Sequence, residues 1–362
     1  GVAATAMGAA AGLSTWDDGH AAAYAAAPGA LAAVMRRLRD RSAGDELQLR
    51  SFAAFTLAAL ARYPPLLQLH PATRGGEALD AMCASLREAP ALTADGLRGH
   101  AEALWAMAAW GEEARDRIVA APGVIAALLD AAVAVGDGDE PLGALSAFAA
   151  SERVAMAVVG DARLLPLLAR VLPGGVLPTA TQAAALVQRL WSHAGAAAVL
   201  TGQREALVDV AAGVLWCLSG FVTAPDAHDC AIALDAVRSC LPALACLSLV
   251  HAPLPASATV EDGGSSLLVS ALRSLDSEEQ ARATHALAEL AGLRRAVPAL
   301  SPRFTLEEGD TLLSEAALRV ATPAQRAELR GVARQVVAAL AGGHSARVLA
   351  GGGDAAGAGV GR

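Results

Sequence analysis

The chain has 362 residues and a formal net charge of −8, and 54% of it is hydrophobic although only 3% is aromatic. Lys and Asn are absent, so all 28 basic residues are Arg, and the acidic balance lacks the basic stripe with which nucleic-acid binders neutralise phosphates. The apolar content is mainly Ala, Leu and Val, which favours helices with small, closely packing faces and disfavours strands.

Residues 1–17 are expected to be an N-terminal remnant or partial helix; Gly1 to Trp16 lacks the basic start of a signal peptide. From 18 to 342 the chain repeats itself. Ala27-Pro28-Gly29-Ala30-Leu31-Ala32-Ala33-Val34 returns as Ala121-Pro122-Gly123-Val124-Ile125-Ala126-Ala127-Leu128, with a looser copy from Gly76 to Met82 between them. The first large apolar residues of such helices are Leu31, Leu79, Ile125, Leu165, Leu207, Leu267 and Leu312, spaced by 48, 46, 40, 42, 60 and 45 residues. This period predicts about seven helical units. The long interval holds Pro253, Pro255 and the stretch from Glu261 to Ser266, so a loop insertion is expected at about 251–265.

A second helix with an apolar i, i+3 pair follows several anchors: Leu57 and Leu60, Leu104 and Met107, Leu145 and Phe148, Leu287 and Leu290, Val337 and Leu340. Leu79 to Leu165, Leu104 to Leu190 and Trp105 to Trp191 are all 86 residues apart, so both helices of a unit shift together. Breakers fall between helices at Pro64-Pro65, Gly75-Gly76, Pro90, Gly136 to Gly138, Pro173-Gly174-Gly175, Pro225 and Pro298, and Thr93 with Asp95, or Asp310, reads as an N-cap. Between 181 and 249 two frames compete, because Trp191 and Trp216 each follow a Leu yet lie only 25 residues apart. No stretch alternates with period two, so almost no sheet is predicted. Residues 343–362 form a Gly/Ala-rich flexible tail.

The longest uncharged run, Ser239 to Val260, is interrupted by Pro242, His251, Pro253 and Pro255 and is expected to be a buried core helix, not a membrane span. Five Cys, at 83, 217, 230, 240 and 246, fit reduced, buried thiols of an intracellular protein. Which compartment is not legible.

Chemistry-bearing motifs are absent. There is no Gly-x-Ser-x-Gly elbow, and without Lys there is no phosphate-binding Gly-x4-Gly-Lys loop. His228, Asp229, Cys230, Cys240 and Cys246 lack the paired spacing of a zinc site, and Asp137-Gly138-Asp139-Glu140 lacks a calcium loop's ligand frame. Arg36, Arg37, Arg39 and Arg41 are expected on a solvated helix face, and Trp105, Trp110, Trp191 and Trp216 to fill gaps left by Ala. No catalytic residue, cofactor, metal or small-molecule substrate is expected.

The segments Glu113 to Leu129 and Leu49 to Leu60 resemble, respectively, a first-to-second helix junction and a third helix of the armadillo family, with HEAT repeats as the close relative. The resemblance implies an all-α, right-handed α-solenoid superhelix of about seven armadillo/HEAT-like repeats whose third helices line a concave groove. It implies a non-enzymatic scaffold that holds an extended peptide or helical protein partner, as a subunit of a larger assembly. By that resemblance the groove candidates are Arg50, Arg98, His100, Trp105, Gln188, Arg189, Trp191, His193, Arg282 and His285. Nuclear import adaptors place Asn four residues after Trp; here Ala109 and Gly195 stand at those places, so nuclear-signal binding is not implied. The phrase Ala103 to Gly111 also resembles helical-repeat RNA-binding proteins of algal organelles, the alternative reading, against which the acidic charge stands. Arg-only basicity and Ala richness suggest a green-alga-like source.

Overall fold

The computed structural model describes residues 18–39, 46–63, 76–87, 92–136, 138–174, 177–220, 227–250, 267–292 and 321–340. Among them are seventeen helices and no strand. The expectations for 1–17, 251–265 and 343–362, and those for Leu312, Asp310, Asp137, Pro64, Pro65, Gly75, Pro90, Gly175, Pro225 and Pro298, lie outside the described residues. So do the side chains of His228, Asp229 and Cys230.

The helices divide into two compact units, 1–167 and 168–362. The first contains α1 (Asp18–Ala26), α2 (Ala30–Arg39), α3 (Glu46–Ala61), α4 (Glu77–Leu86), α5 (Ala94–Ala108), α6 (Glu112–Ala120), α7 (Val124–Val135), α8 (Glu140–Phe148) and α9 (Glu152–Val159). The boundary falls within α10 (Leu164–Gly174). The second unit continues with α11 (Leu177–Trp191), α12 (Ala194–Gly202), α13 (Arg204–Gly220), α14 (Ala227–Ser248), α15 (Leu267–Ser274), α16 (Ser277–Ala291) and α17 (Pro323–Leu340).

The repeated Ala-Pro-Gly sequence makes the same turn twice. Between α1 and α2, Ala27 N donates to Tyr24 O and Ala30 N to Ala27 O, both at 3.1 Å; between α6 and α7, Ala121 N donates to Ile118 O at 3.1 Å and Val124 N to Ala121 O at 3.4 Å. Gly29 and Gly123 close these turns at φ 77° and 79°, a left-handed conformation that costs a side-chain-bearing residue about 1 kcal/mol or more. The turn folds α7 back at 88° to α6. At the start of α5, the Thr93 hydroxyl accepts from Gly96 N at 3.1 Å, the cap expected there.

Within the first unit, α2, α4 and α7 pack in one succession and α3, α5 and α8 in another. Anchors Leu31 and Leu79 are buried, as are Leu57, Leu60, Leu104, Met107, Leu145 and Phe148 of the second helices. Each such side chain contributes roughly 2 kcal/mol relative to exposure. Ile125 departs from its expected place: Val124 is fully buried in its stead, and Ile125 is half-exposed.

In the second unit α11 packs on α14 and α14 on α17, while α13 packs on α15 and α16. Trp191 ends α11 and Trp216 lies on α13, in different successions. Pro173 and Gly174 end α10 from inside its last turn. The uncharged run from Ser239 supplies the second half of α14, with Cys240, Leu241, Ala243, Leu244 and Leu247 buried; no single described helix is long and apolar enough to cross a membrane. Cys217 donates its thiol proton to Leu172 O at 2.9 Å, tying α13 to α10. The Cys240 thiol is pushed up by its hydrogen bond with Cys217 and by burial, which disfavours its thiolate, and both side chains are buried.

Glycines let successive helices approach. A Cβ added to Gly143 of α8 would lie 2.7 Å from the Trp105 ring of α5, and one on Gly99 of α5 would lie 3.1 Å from the Phe55 ring of α3. Gly331 of α17 meets nothing within 4 Å. Gly143→Ala is therefore expected to destabilise by about 1–3 kcal/mol through overpacking, while Gly331→Ala stabilises by up to about 1 kcal/mol through helix propensity. Urea denaturation of the two variants checks the pair of opposite signs.

Candidate functional site

Along α3, α5 and α8 the side opposite the packed core is an open stripe. On α3 it carries Gln48, Phe52 and Phe55; on α5 it carries Asp95, Arg98, Glu102 and Trp105; on α8 it carries Glu140 and Ala147. The α5 positions follow one another by three or four residues, which places them on one helical face. Arg62, just beyond α3, reaches Glu102 at 2.9 Å and joins the stripes of neighbouring helices. Both side chains are partly exposed, so this pair contributes on the order of 0–1 kcal/mol.

Arg98 and Trp105 lie on this stripe, both half-buried. The Trp105 indole, packed across Gly143, makes no hydrogen bond among the described residues, whereas Trp110 Nε1 donates to Ala61 O at 2.8 Å. The Arg98 guanidinium lies beside the Glu140 carboxyl. Burial holds that carboxyl above the ordinary range, with repulsion from Asp139 and Glu102 adding to the effect and Arg98 opposing it.

Three candidates are interior. Arg50 is 3% exposed, His285 7% and His100 fully buried, so none presents its side chain to a partner. His100 instead bridges α5 to α4: its Nδ1 lies 2.6 Å from Gly96 O and its Nε2 2.7 Å from Ser85 Oγ. A carbonyl only accepts, so Nδ1 carries the proton and Nε2 accepts from the Ser85 hydroxyl. The connectivity is that of a serine activated by a base. Yet Ser85 is only 3% exposed, and burial, aided by the nearby Arg50 charge, lowers His100 to about 4. The pair is sealed from substrate and serves as a structural bridge.

In the second unit, Gln188 and Arg189 are exposed near the end of α11, with half-buried Trp191 and His193 following. Arg282 is half-buried and bonded to Glu278 one turn earlier on α16. Trp216, expected as a gap filler, is half-buried and donates to Glu279 Oε1 at 2.8 Å. Among the described residues no group of three or more His, Cys, Asp or Glu gathers to hold a metal ion. Sequence reasoning missed Phe55, Glu102 and Arg62. A usable signal was present: Phe55 precedes Gly99, and Trp105 precedes Gly143, by close to one repeat.

Because neutral His100 is favoured in the folded state, its contribution to stability is complete above pH 6.5 and is lost as pH falls towards 4. His100→Gln is expected to flatten the stability profile over that window, where this one group adds a slope of at most about 1.4 kcal/mol per pH unit. Chemical denaturation from pH 7 to pH 4 measures the slope with and without the imidazole.

No protein-family model matches the chain, and no curated protein matches it. Among solved structures, it is similar to the crystal structure of an engineered protein, with a TM-score of 0.43 and 20% identity, covering 86% of this chain and 68% of that one. A likeness of that size carries no further argument.

Proposed function

We propose that the described helices are armadillo/HEAT-like repeats of the right-handed α-solenoid type, about seven in the chain, and that the protein is a non-enzymatic scaffold. It holds an extended peptide or a helical partner on its third-helix stripe, as a subunit of a larger assembly. The observation that carries this reading is the sequence distance spanned by most inter-helix bonds, the His100–Ser85 bridge, which spans 15 residues, being an exception. Arg39 to Glu77, Arg62 to Glu102, Trp110 to Ala61, Arg117 to Asp80, Arg163 to Asp130, Cys217 to Leu172 and Arg334 to Ala291 span 33 to 49 residues, about one repeat. Trp216 to Glu279 spans 63, and it straddles the long interval after Leu207. A chain built of units that bury their apolar sides only on neighbours leaves long faces free for partners.

Arg98 and Trp105 on α5, and Gln188 and Arg189 on α11, are the side chains proposed to meet the partner. Sealing of the Ser85 and His100 pair supports the non-enzymatic part of the reading. A photo-crosslinking amino acid in place of exposed Ala109 is expected to capture a protein partner from native extract. Capture of RNA instead, or steeply salt-dependent binding to single-stranded RNA in solution, would contradict the proposal.

A further inference from the structure

The repeated Ala-Pro-Gly turn leaves one apolar side chain unspent. In its first copy Leu31 is fully buried; in its second Val124 is fully buried and Ile125 is left half-exposed. Ile125 then forms part of the wall of an open groove of about 460 Å³ between α6, α7 and α9, together with Val119, Pro122, Ala126 and Ala157. Met156, also on α9, is 40% exposed. Apolar walls of this kind gain about 25 cal/mol for each Å² removed from water.

The groove's charges specify what fits it. Asp161 is committed to Arg163, with Nη2 to Oδ2 at 2.7 Å, and that bond holds its carboxyl at about 2. Arg153 also lines the groove, is exposed, and has no hydrogen bond or ion pair among the described residues. It stands in the first turn of α9, where the helix dipole disfavours a cation. Arg163 is shared between Asp161 and Asp130, so Arg153 is the groove-lining charge with no ion pair among the described residues, and its complement is a carboxylate next to an apolar face. An open groove between helices suits a helix laid into it, whereas small-molecule sites enclose most of their ligand.

We infer that the α6/α7/α9 groove docks an amphipathic helix of a partner protein, its apolar face on Ile125 and a carboxylate on Arg153. This surface uses none of the side chains assigned to the α3/α5/α8 stripe, so the two stand or fall separately.

The test uses the full chain and a fluorescein-labelled amphipathic peptide of about 16 residues with an i, i+3, i+4, i+7 leucine stripe and one Glu beside it. A twin peptide carries Lys in place of that Glu. Anisotropy titration is expected to show saturable binding of the Glu peptide, at least about tenfold tighter than its twin. Arg153→Glu should reverse that order, and Ile125→Gln should weaken both peptides by about tenfold, with thermal unfolding unchanged because both side chains lie outside the core. Trp105→Phe should leave the titration as it is. Absence of saturable binding, equal affinity for the twins, or an order that survives Arg153→Glu would overturn the inference. Should Ile125→Gln unfold the chain, the charge reversal at exposed Arg153 alone decides.

Discussion

Burial of each helix's apolar side against its neighbouring helices is the constraint on which everything else depends. The helices run from 8 to 22 residues, and most are too short to hold themselves in water. With aromatics at 3% of the sequence, few large rings fill space, so stability comes from many Leu, Val and Ala contacts between closely spaced helices. Close approach in turn requires small residues at the crossings, which is why Gly99 lies under Phe55 and Gly143 under Trp105. The same crossings fix the aromatic rings at the edge of the stripe, half-buried and half-presented.

Polar groups follow the same geometry. Ion pairs such as Arg117 with Asp80, at 2.6 Å, bridge α6 to α4 at the surface and contribute little individually. The interior polar contacts matter more, because a buried donor or acceptor left unmade costs about 1–3 kcal/mol. His100 with Ser85 and Gly96, and Cys217 with Leu172, are of this kind. Exposed Arg153 and the half-buried Trp105 indole make no such bond among the described residues.

Much of the architecture was legible in the sequence. Helix content followed from Ala and Leu richness, and the anchors Leu31, Leu79, Leu165, Leu207 and Leu267 are buried, each on a different helix. The one-residue shift at Ile125 was not legible, since Val124 and Ile125 are both apolar and only packing decides which turns inward. The open stripe was read in part. Arg98, Trp105, Gln188 and Arg189 are polar or aromatic residues on open helix faces, but Arg50, His100 and His285 follow the same rule and are buried. Residue type does not report that Ser85 and the Gly96 carbonyl stand ready to satisfy an imidazole from another helix. Phe55 was missed although its spacing to Gly99 was readable, and Glu102 was missed because its role depends on Arg62, which only the fold brings beside it.

Local amide hydrogen exchange in a Leu104→Ala variant tests the neighbour-packing claim most directly. Leu104 is fully buried on α5, and its truncation should cost about 2–5 kcal/mol. Protection is predicted to fall in α5 and in the helices that pack on it, α3, α4, α6, α7 and α8, while α14 and α17 keep theirs. A uniform loss across all helices would mean that the chain unfolds as one cooperative core, and would contradict the account.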